Sequence, residues 1–344
     1  MSSIVKLLPG VVEEENGRLH VRGSEVQPQY VLDGIPIADN LSGIFATELD
    51  SDTLRTIQVI TGNIPAQFGD KTSAIVNLST KSGLNAPWNG KSTISGGSFG
   101  QADMSVSLGG SIGKFGVFAA ADAGRSNRYM DPPDSGVEDD EEEALKGDDD
   151  AEDLGFHNKG GLVRLFTRFD WIPSERDAFH STFSGSGTTF QIPNSLESHL
   201  MGQDQRQKLR DDFQSLTWTH VFGPKTVTDV AGSRRSSTAR LVDPRHTGFP
   251  YFVAQERRQR TEGIRAKLSH EWRLGNIQFG GEAYRHPLQE HFRVAATDPE
   301  LLEEIEEPIA QFTIDRPFRF DKKKTGSRSA LYAELYELQA RAYR

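Results

Sequence analysis

The chain has 344 residues, 35% hydrophobic, with 33 Gly, no Cys and a mean hydropathy of −0.54. No stretch of about eighteen apolar residues occurs, which excludes a transmembrane helix but not a membrane β-barrel, whose strands alternate apolar and polar residues. The net charge of −10 argues against a nucleic-acid partner. Lack of Cys removes disulfide scaffolds and thiolate metal sites without fixing the compartment.

At the N-terminus, one lysine and a very short apolar run fall short of a secretory signal. Up to about residue 83 the sequence reads as a small α+β unit. Leu19-His-Val-Arg-Gly23 is a short strand ending in a turn. In Tyr30-Val-Leu-Asp-Gly-Ile-Pro-Ile37, the Asp33-Gly34 pair between apolar flanks predicts a tight hairpin, because both residues tolerate positive φ. Ser51 and Asp52 cap one helical turn. Thr56-Ile-Gln-Val-Ile-Thr61 and Ala74-Ile-Val-Asn-Leu-Ser79 are β-branched strands. Gly23, Gly34, Gly62 and Gly69 are read as turn residues.

From Trp88 the sequence changes to long strands of period two. Val163, Leu165, Thr167, Phe169 and Trp171 share one face, opposed by Arg164, Arg168 and Asp170. Ile264, Ala266, Leu268 and Trp272 oppose Arg265, Lys267 and Glu271. Ile277, Phe279 and Ala283 oppose Glu282, and Phe115, Val117, Ala119 and Ala121 oppose Asp122. A charge at the lipid midplane costs roughly 2–4 kcal/mol for Arg or Lys. Arg164, Arg168, Asp170, Arg265, Lys267, Glu271 and Glu282 are therefore expected to face the lumen. The basic residues among them steer an anionic ligand or serve as solvated and ion-paired wall residues.

Short turns follow Trp171, Phe222 and Trp272, each beside an interfacial ring. They alternate with long polar loops near 128–157, 191–210, 241–258 and 294–325. That alternation is the grammar of an outer-membrane barrel; a soluble sandwich turns every 8–12 residues. About ten strands are expected, the last over 329–338. Residues 138–153 carry the whole excess of negative charge, in an acidic loop at 134–155 that is either a solvated run or a gatherer of cations.

Catalytic and cofactor motifs fail. Gly69-Asp-Lys-Thr72 lacks the spaced first glycine of a phosphate loop. Ser184-Gly-Ser-Gly187 is not a nucleophile elbow. The nine His show no paired zinc spacing, and Asp148, Asp150 and Glu152 misplace the glycine of a calcium loop. Neither an enzyme, a cofactor nor a metal site is expected.

Several segments, in order, resemble the plug of TonB-dependent outer-membrane receptors. They are Leu8-Pro-Gly-Val11, Val21-Arg-Gly23, the Tyr30–Ile37 hairpin, Leu54-Arg-Thr-Ile-Gln-Val-Ile-Thr-Gly62, Pro65-Ala-Gln-Phe-Gly-Asp70 and Ala74-Ile-Val-Asn-Leu-Ser-Thr-Lys-Ser-Gly83. Phe115-Gly-Val-Phe118 and Arg125-Ser-Asn-Arg-Tyr-Met130 look like an early barrel hairpin of the same family. Phe68-Gly-Asp-Lys-Thr72 adds a likeness to members with a carboxypeptidase-regulatory-like domain.

The resemblance implies a mainly β protein: an N-terminally truncated plug over 1-83, then an incomplete antiparallel transmembrane β-barrel over 88-344. A barrel with a plugged lumen has about 22 strands, so about half the wall is expected beyond this chain, and the TonB-contacting segment before it. For the full-length protein it implies residence in the Gram-negative outer membrane and contact with outer-membrane lipid. It further implies TonB-driven uptake of a ferric siderophore, haem, cobalamin, oligosaccharide or peptide. Arg22 and Phe45 match positions that face the ligand in some siderophore receptors. Arg22 alternatively anchors the plug by pairing with a wall carboxylate, Glu271 and Glu282 being candidates. The competing readings are a small closed barrel acting as an adhesin or scaffold, and a non-functional truncated product.

Overall fold

In a computed structural model, the described residues are 11–13, 19–21, 28–37, 51–69, 74–130, 157–194, 199–243, 246–273, 275–304 and 307–337. The acidic loop, Arg22, Gly23, Phe45 and Asp70 to Thr72 lie outside them.

Strands β1 (Val11–Glu13) and β2 (Leu19–Val21) pair antiparallel. A four-stranded mixed sheet follows, formed by β3 (Gln29–Leu32), β4 (Ile35–Pro36), β5 (Leu54–Ile60) and β6 (Ile75–Thr80) in the order β4-β3-β6-β5. Strands β3 and β6 run parallel and the other pairs antiparallel. The predicted hairpin turn sits between β3 and β4, with Asp33 at φ 47° and Gly34 at φ 84°. Positive φ at both central positions gives the turn a twist that matches its strands. A single 3₁₀ turn, Ser51–Thr53, leads into β5. Gly69 closes another at Ala66–Phe68 with φ −63°, an ordinary right-handed value.

Ten antiparallel strands then form one meander: β7 (Asn89–Gly96), β8 (Ala102–Ile112), β9 (Phe115–Ser126), β10 (Gly160–Trp171), β11 (Asp177–Gln191), β12 (Arg206–Gly223), β13 (Thr226–Val242), β14 (Tyr251–Trp272), β15 (Gly275–Ala296) and β16 (Phe318–Glu337). Each strand pairs only with its chain neighbours, and among the described residues β7 does not pair with β16. That differs from the small closed barrel. A short helix, α1 (Pro299–Glu304), lies in the last long connection.

The outward side is apolar. Val163 is 60% exposed, and Leu165, Phe169, Ile94, Val106, Leu216, Ile264 and Phe279 are exposed with it. A soluble protein does not leave so continuous an apolar surface bare; it has the character of the lipid-facing side of a membrane barrel. Short turns at 113–114, 172–176 and 224–225 and the connection after Trp272 share one end of the sheet. At that end Trp171 stacks between its register partners Phe115 and Phe179, with centroids 5.6 and 5.3 Å away. Such rings suit the membrane interface.

Strand ends differ from the sequence reading on the long-loop side. The loops expected at 191–210, 241–258 and 294–325 shrink, and the last strand begins at Phe318 rather than near 329. Strands β14 and β15 have 22 residues each, whereas a crossing needs about 9–11. In the excess length the outward side chains are charged, as at Glu256, Arg258 and Arg260. Alternation is lost there while backbone pairing continues, so charged segments such as Gln255-Glu-Arg-Arg-Gln-Arg260 read as loop.

Val163→Arg and Leu165→Arg should each lower the stability of the membrane-inserted protein by about 2–4 kcal/mol. Heat-modifiable electrophoresis against urea measures this, and an unchanged midpoint for both would contradict the lipid-facing assignment.

Candidate functional site: the interface between the small sheet and the wall

A flat ten-stranded sheet would separate β7 from β16 by roughly 43 Å at ~4.8 Å per strand. Both edges nevertheless touch the small sheet and its loops. Lys91 Nζ of β7 lies 2.9 Å from Asp52 Oδ2, and the Ala66 amide donates to Glu334 Oε2 of β16 at 3.1 Å. The wall therefore curls around the small sheet. Lys91 holds the Asp52 carboxyl below its ordinary pKa, chiefly by this hydrogen bond.

Part of the interface is apolar. Leu32, Ile35, Ile37, Leu54, Val76 and Leu78 of the small unit share one buried cluster with Phe118, Ala120, Phe166, Phe213 and Ala231 of the wall. Where the wall meets the small sheet, it turns aromatic rings inward beside its charged residues. The sequence signal is Phe166, an aromatic set between Arg164 and Arg168 on the polar face of β10.

The rest is a polar network around Asp33. Its carboxylate accepts from the Thr80 amide at 2.9 Å and the Thr80 hydroxyl at 2.7 Å. Arg168 donates to Asp33 at 3.2 Å, to Thr80 Oγ1 at 3.0 Å, and through Nε to Asp170 at 2.9 Å. Asp170, 1% exposed, also accepts from Ser82 at 2.5 Å and meets His180 Nδ1 at 2.6 Å. A buried carboxylate is tolerable only when its lone pairs are filled in this way. One arginine thus joins the turn of the small sheet to the wall.

A second joint lies on β14. Arg265 donates to the Gly34 carbonyl and, at 2.7 Å, to Gln67 Oε1, with its guanidinium 5.8 Å from the Phe68 ring centre. Beside it, between the two sheets, is a cavity of about 500 Å³ lined by Asp33, Gln67, His180, Asp229, Arg265 and Lys267, among others. Its size falls in the range of small-molecule pockets, and its lining mixes these hydrogen-bonding side chains with apolar ones such as Ile35, Ile60 and Phe68. Lys267 pairs with Asp229 at 3.3 Å.

The other charged positions singled out in the sequence lie apart. Arg164 pairs with Asp122 at 2.8 Å, Glu282 pairs with Arg328 at 3.0 Å, and Glu271 is exposed at the short-turn end. Gly62 lies in the bend after β5. Sequence reasoning treated Asp33 as turn geometry alone and missed Thr80, Ser82 and His180, which carry no local pattern. Ser184 to Gly187 lie within β11. Among the described residues no cluster of three or more His, Cys, Asp or Glu is placed to hold a metal ion.

A small mixed sheet held inside an outward-apolar antiparallel wall defines the plugged outer-membrane barrel class. No protein-family model matches the chain. A stretch of 85 residues is 32% identical to the TonB-dependent transporter Oar of Myxococcus xanthus, taking in 24% of this chain and 8% of that protein. The ferric citrate transporter FecA superposes with a TM-score of 0.71 at 14% identity, over 97% of this chain and 50% of that one. The copper transporter OprC gives 0.72 at 12%, over 99% and 49%. The alcaligin outer-membrane receptor FauA of Bordetella pertussis gives 0.62 at 12%, over 98% and 55%. These neighbours are transporters and receptors. The chain has the plug-and-barrel fold of TonB-dependent outer-membrane receptors, and it spans about half the length of these solved structures.

Because the chain has no Cys, Val31→Cys, at a buried position of β3, is a unique reporter of small-sheet opening. In that background Arg168→Met should reduce the free energy of exposing the thiol by about 3–5 kcal/mol, since it strands Asp170. Asp33→Asn should add less when Arg168 is already gone. Strict additivity of the two changes would show that no joint exists.

Proposed function

We propose that this chain forms the plug (1-83) and part of the wall (88-344) of a receptor for energised uptake across the Gram-negative outer membrane. The full-length receptor binds a bulky extracellular ligand, such as a ferric siderophore, oligosaccharide or peptide. It admits the ligand when inner-membrane TonB displaces the plug.

The observation that carries this reading is the mixed seam between small sheet and wall. A plug meant only to seal would bury one continuous apolar surface. Here the contacts at Arg168 and Arg265 are charged, directional and set beside a 500 Å³ cavity of mixed lining. Such joints lose little when water replaces their partners, so they suit an interface that opens. Arg22 and Phe45 are proposed to meet the ligand, a guanidinium at the plug apex offering forked donors to an anionic group. The basic wall residues Arg164, Arg168, Arg265 and Lys267 are proposed to face the lumen that the ligand crosses.

Cells carrying the full-length gene product should accumulate radioiron-labelled ferric citrate or a fluorescent oligosaccharide faster than cells without it. The gain should vanish in a TonB-deficient host or after collapse of the proton gradient. Arg22→Ala should weaken uptake of an anionic ligand by roughly tenfold, the loss of one charge-assisted contact of about 1.5 kcal/mol. Uptake that persists undiminished without TonB would overturn the proposal.

A further inference from the structure

The charged groups that line the cavity between the small sheet and the wall are already engaged. Lys267 Nζ pairs with Asp229 at 3.3 Å, and the Thr219 hydroxyl donates to the same carboxylate at 2.7 Å. Arg265 is held by the Gly34 carbonyl and Gln67. Asp33 is held by Thr80 and Arg168, and His180 meets Asp170. An entering ion would have to displace a partner from one of these pairs and leave a charge uncompensated in a confined space.

The neutral groups differ. Gln58, Asn77 and Ser79 line the cavity from the small sheet and Thr217 from the wall. None of these four side chains has a hydrogen-bond partner among the described residues. Gln58 and Asn77 are register partners on β5 and β6, which sets their Cβ atoms about 5 Å apart. Ser79 follows on the same face of β6, roughly 7 Å further along the strand. Thr217 stands on β12 as the register partner of His180. Ile60, on the face of β5 that carries Gln58, adds apolar surface beside the row.

Amides and hydroxyls both donate and accept hydrogen bonds, so a row of them is matched by a molecule whose own groups do both. A carboxylate or phosphate would leave the amide oxygens unpaired, and an ammonium would leave the amide N–H groups unpaired, at a cost in either case. Hydroxyl groups on a carbon ring satisfy both halves, and the C–H face of the ring suits Ile60. We infer that this cavity is a binding site for a neutral polyhydroxyl ligand, a sugar ring, seated between Gln58, Asn77 and Ser79 of the small sheet and Thr217 of the wall. The inference rests on the reading of the chain as an uptake receptor and narrows its ligands to those that carry sugar rings. Thr219, Asp229 and Lys267 sit near the strand ends at the short turns, so the site lies toward the periplasmic end of the wall.

The test uses the full-length protein in mild detergent with a reporter thiol, Ala231→Cys, at a position that lines the cavity. Alkylation of that thiol by a maleimide is followed by peptide mass spectrometry. The probes are glucose, galactose and maltose, with citrate and spermidine as charged alternatives and glycine betaine as an osmotic control. At least one sugar, at about ten times its Kd, should slow alkylation roughly tenfold, while citrate, spermidine and betaine leave the rate unchanged. Gln58→Leu and Asn77→Leu should each weaken the affinity for that sugar by roughly tenfold. Folding of each variant is checked by heat-modifiable migration. If the leucine variants misfold, Ser79→Ala and Thr217→Val, which each remove one hydroxyl, should weaken it by about threefold. Protection by none of the sugars, protection by citrate or spermidine equal to that by sugar, or undiminished protection in folded variants would overturn the inference. Alkylation is read without TonB. Lack of protection in a protein that still shows TonB-dependent uptake therefore overturns the site alone, whereas protection in a protein whose uptake ignores TonB upholds the site and contradicts the transport reading.

Discussion

A peptide group cannot leave water for hydrocarbon without a hydrogen-bond partner, and this constraint dictates the architecture. Within the wall, β8 to β15 meet it by pairing on both sides with their chain neighbours. Once the backbone is committed to that ladder, the pleat sends alternate side chains to opposite sides. On β10 that alternation gives Val163, Leu165 and Phe169 to the exposed outer face, and Arg164, Phe166, Arg168 and Asp170 to the interior. The rest of the structure is a response to what the inward face must then bury.

The response is divided. Phe118, Phe166 and Phe213 cover the apolar surface of the small sheet, as a core would. Arg168 and Arg265 instead reach its turn and loop through hydrogen bonds. Apolar contact gives the small sheet its seat without directional demands. The arginines give it orientation, because each satisfies several acceptors at once. Asp170 is the most exacting member: fully buried, it depends on Arg168, Ser82 and His180 together.

Much of this was legible in the sequence because its cause is local. Period two in β10 and the lower half of β14, and the Asp33-Gly34 turn, are written within ten residues. The upper halves of β14–β16 were not legible. Their outward side chains are charged where an apolar residue would mark the alternation, and only cross-strand partners reveal that they are strands. The joint between Asp33 and Arg168 was invisible for a different reason: its partners lie 135 residues apart. Arg168 was recognised as an inward charge, but no local pattern names its acceptor. The family resemblance located the small unit without showing how it is held.

The claim on which everything depends is that successive residues of β10 belong alternately to lipid and to a covered interior. Nitroxide scanning of single Cys variants from Leu162 to Trp171, in the protein reconstituted into bilayers, tests it directly. Accessibility to oxygen should rise at 163, 165 and 169 and fall at 164, 166, 168 and 170, with a water-soluble nickel reagent excluded from the first group. A profile without a two-residue period, or nickel access to 163 and 165 equal to that of a loop, would contradict it.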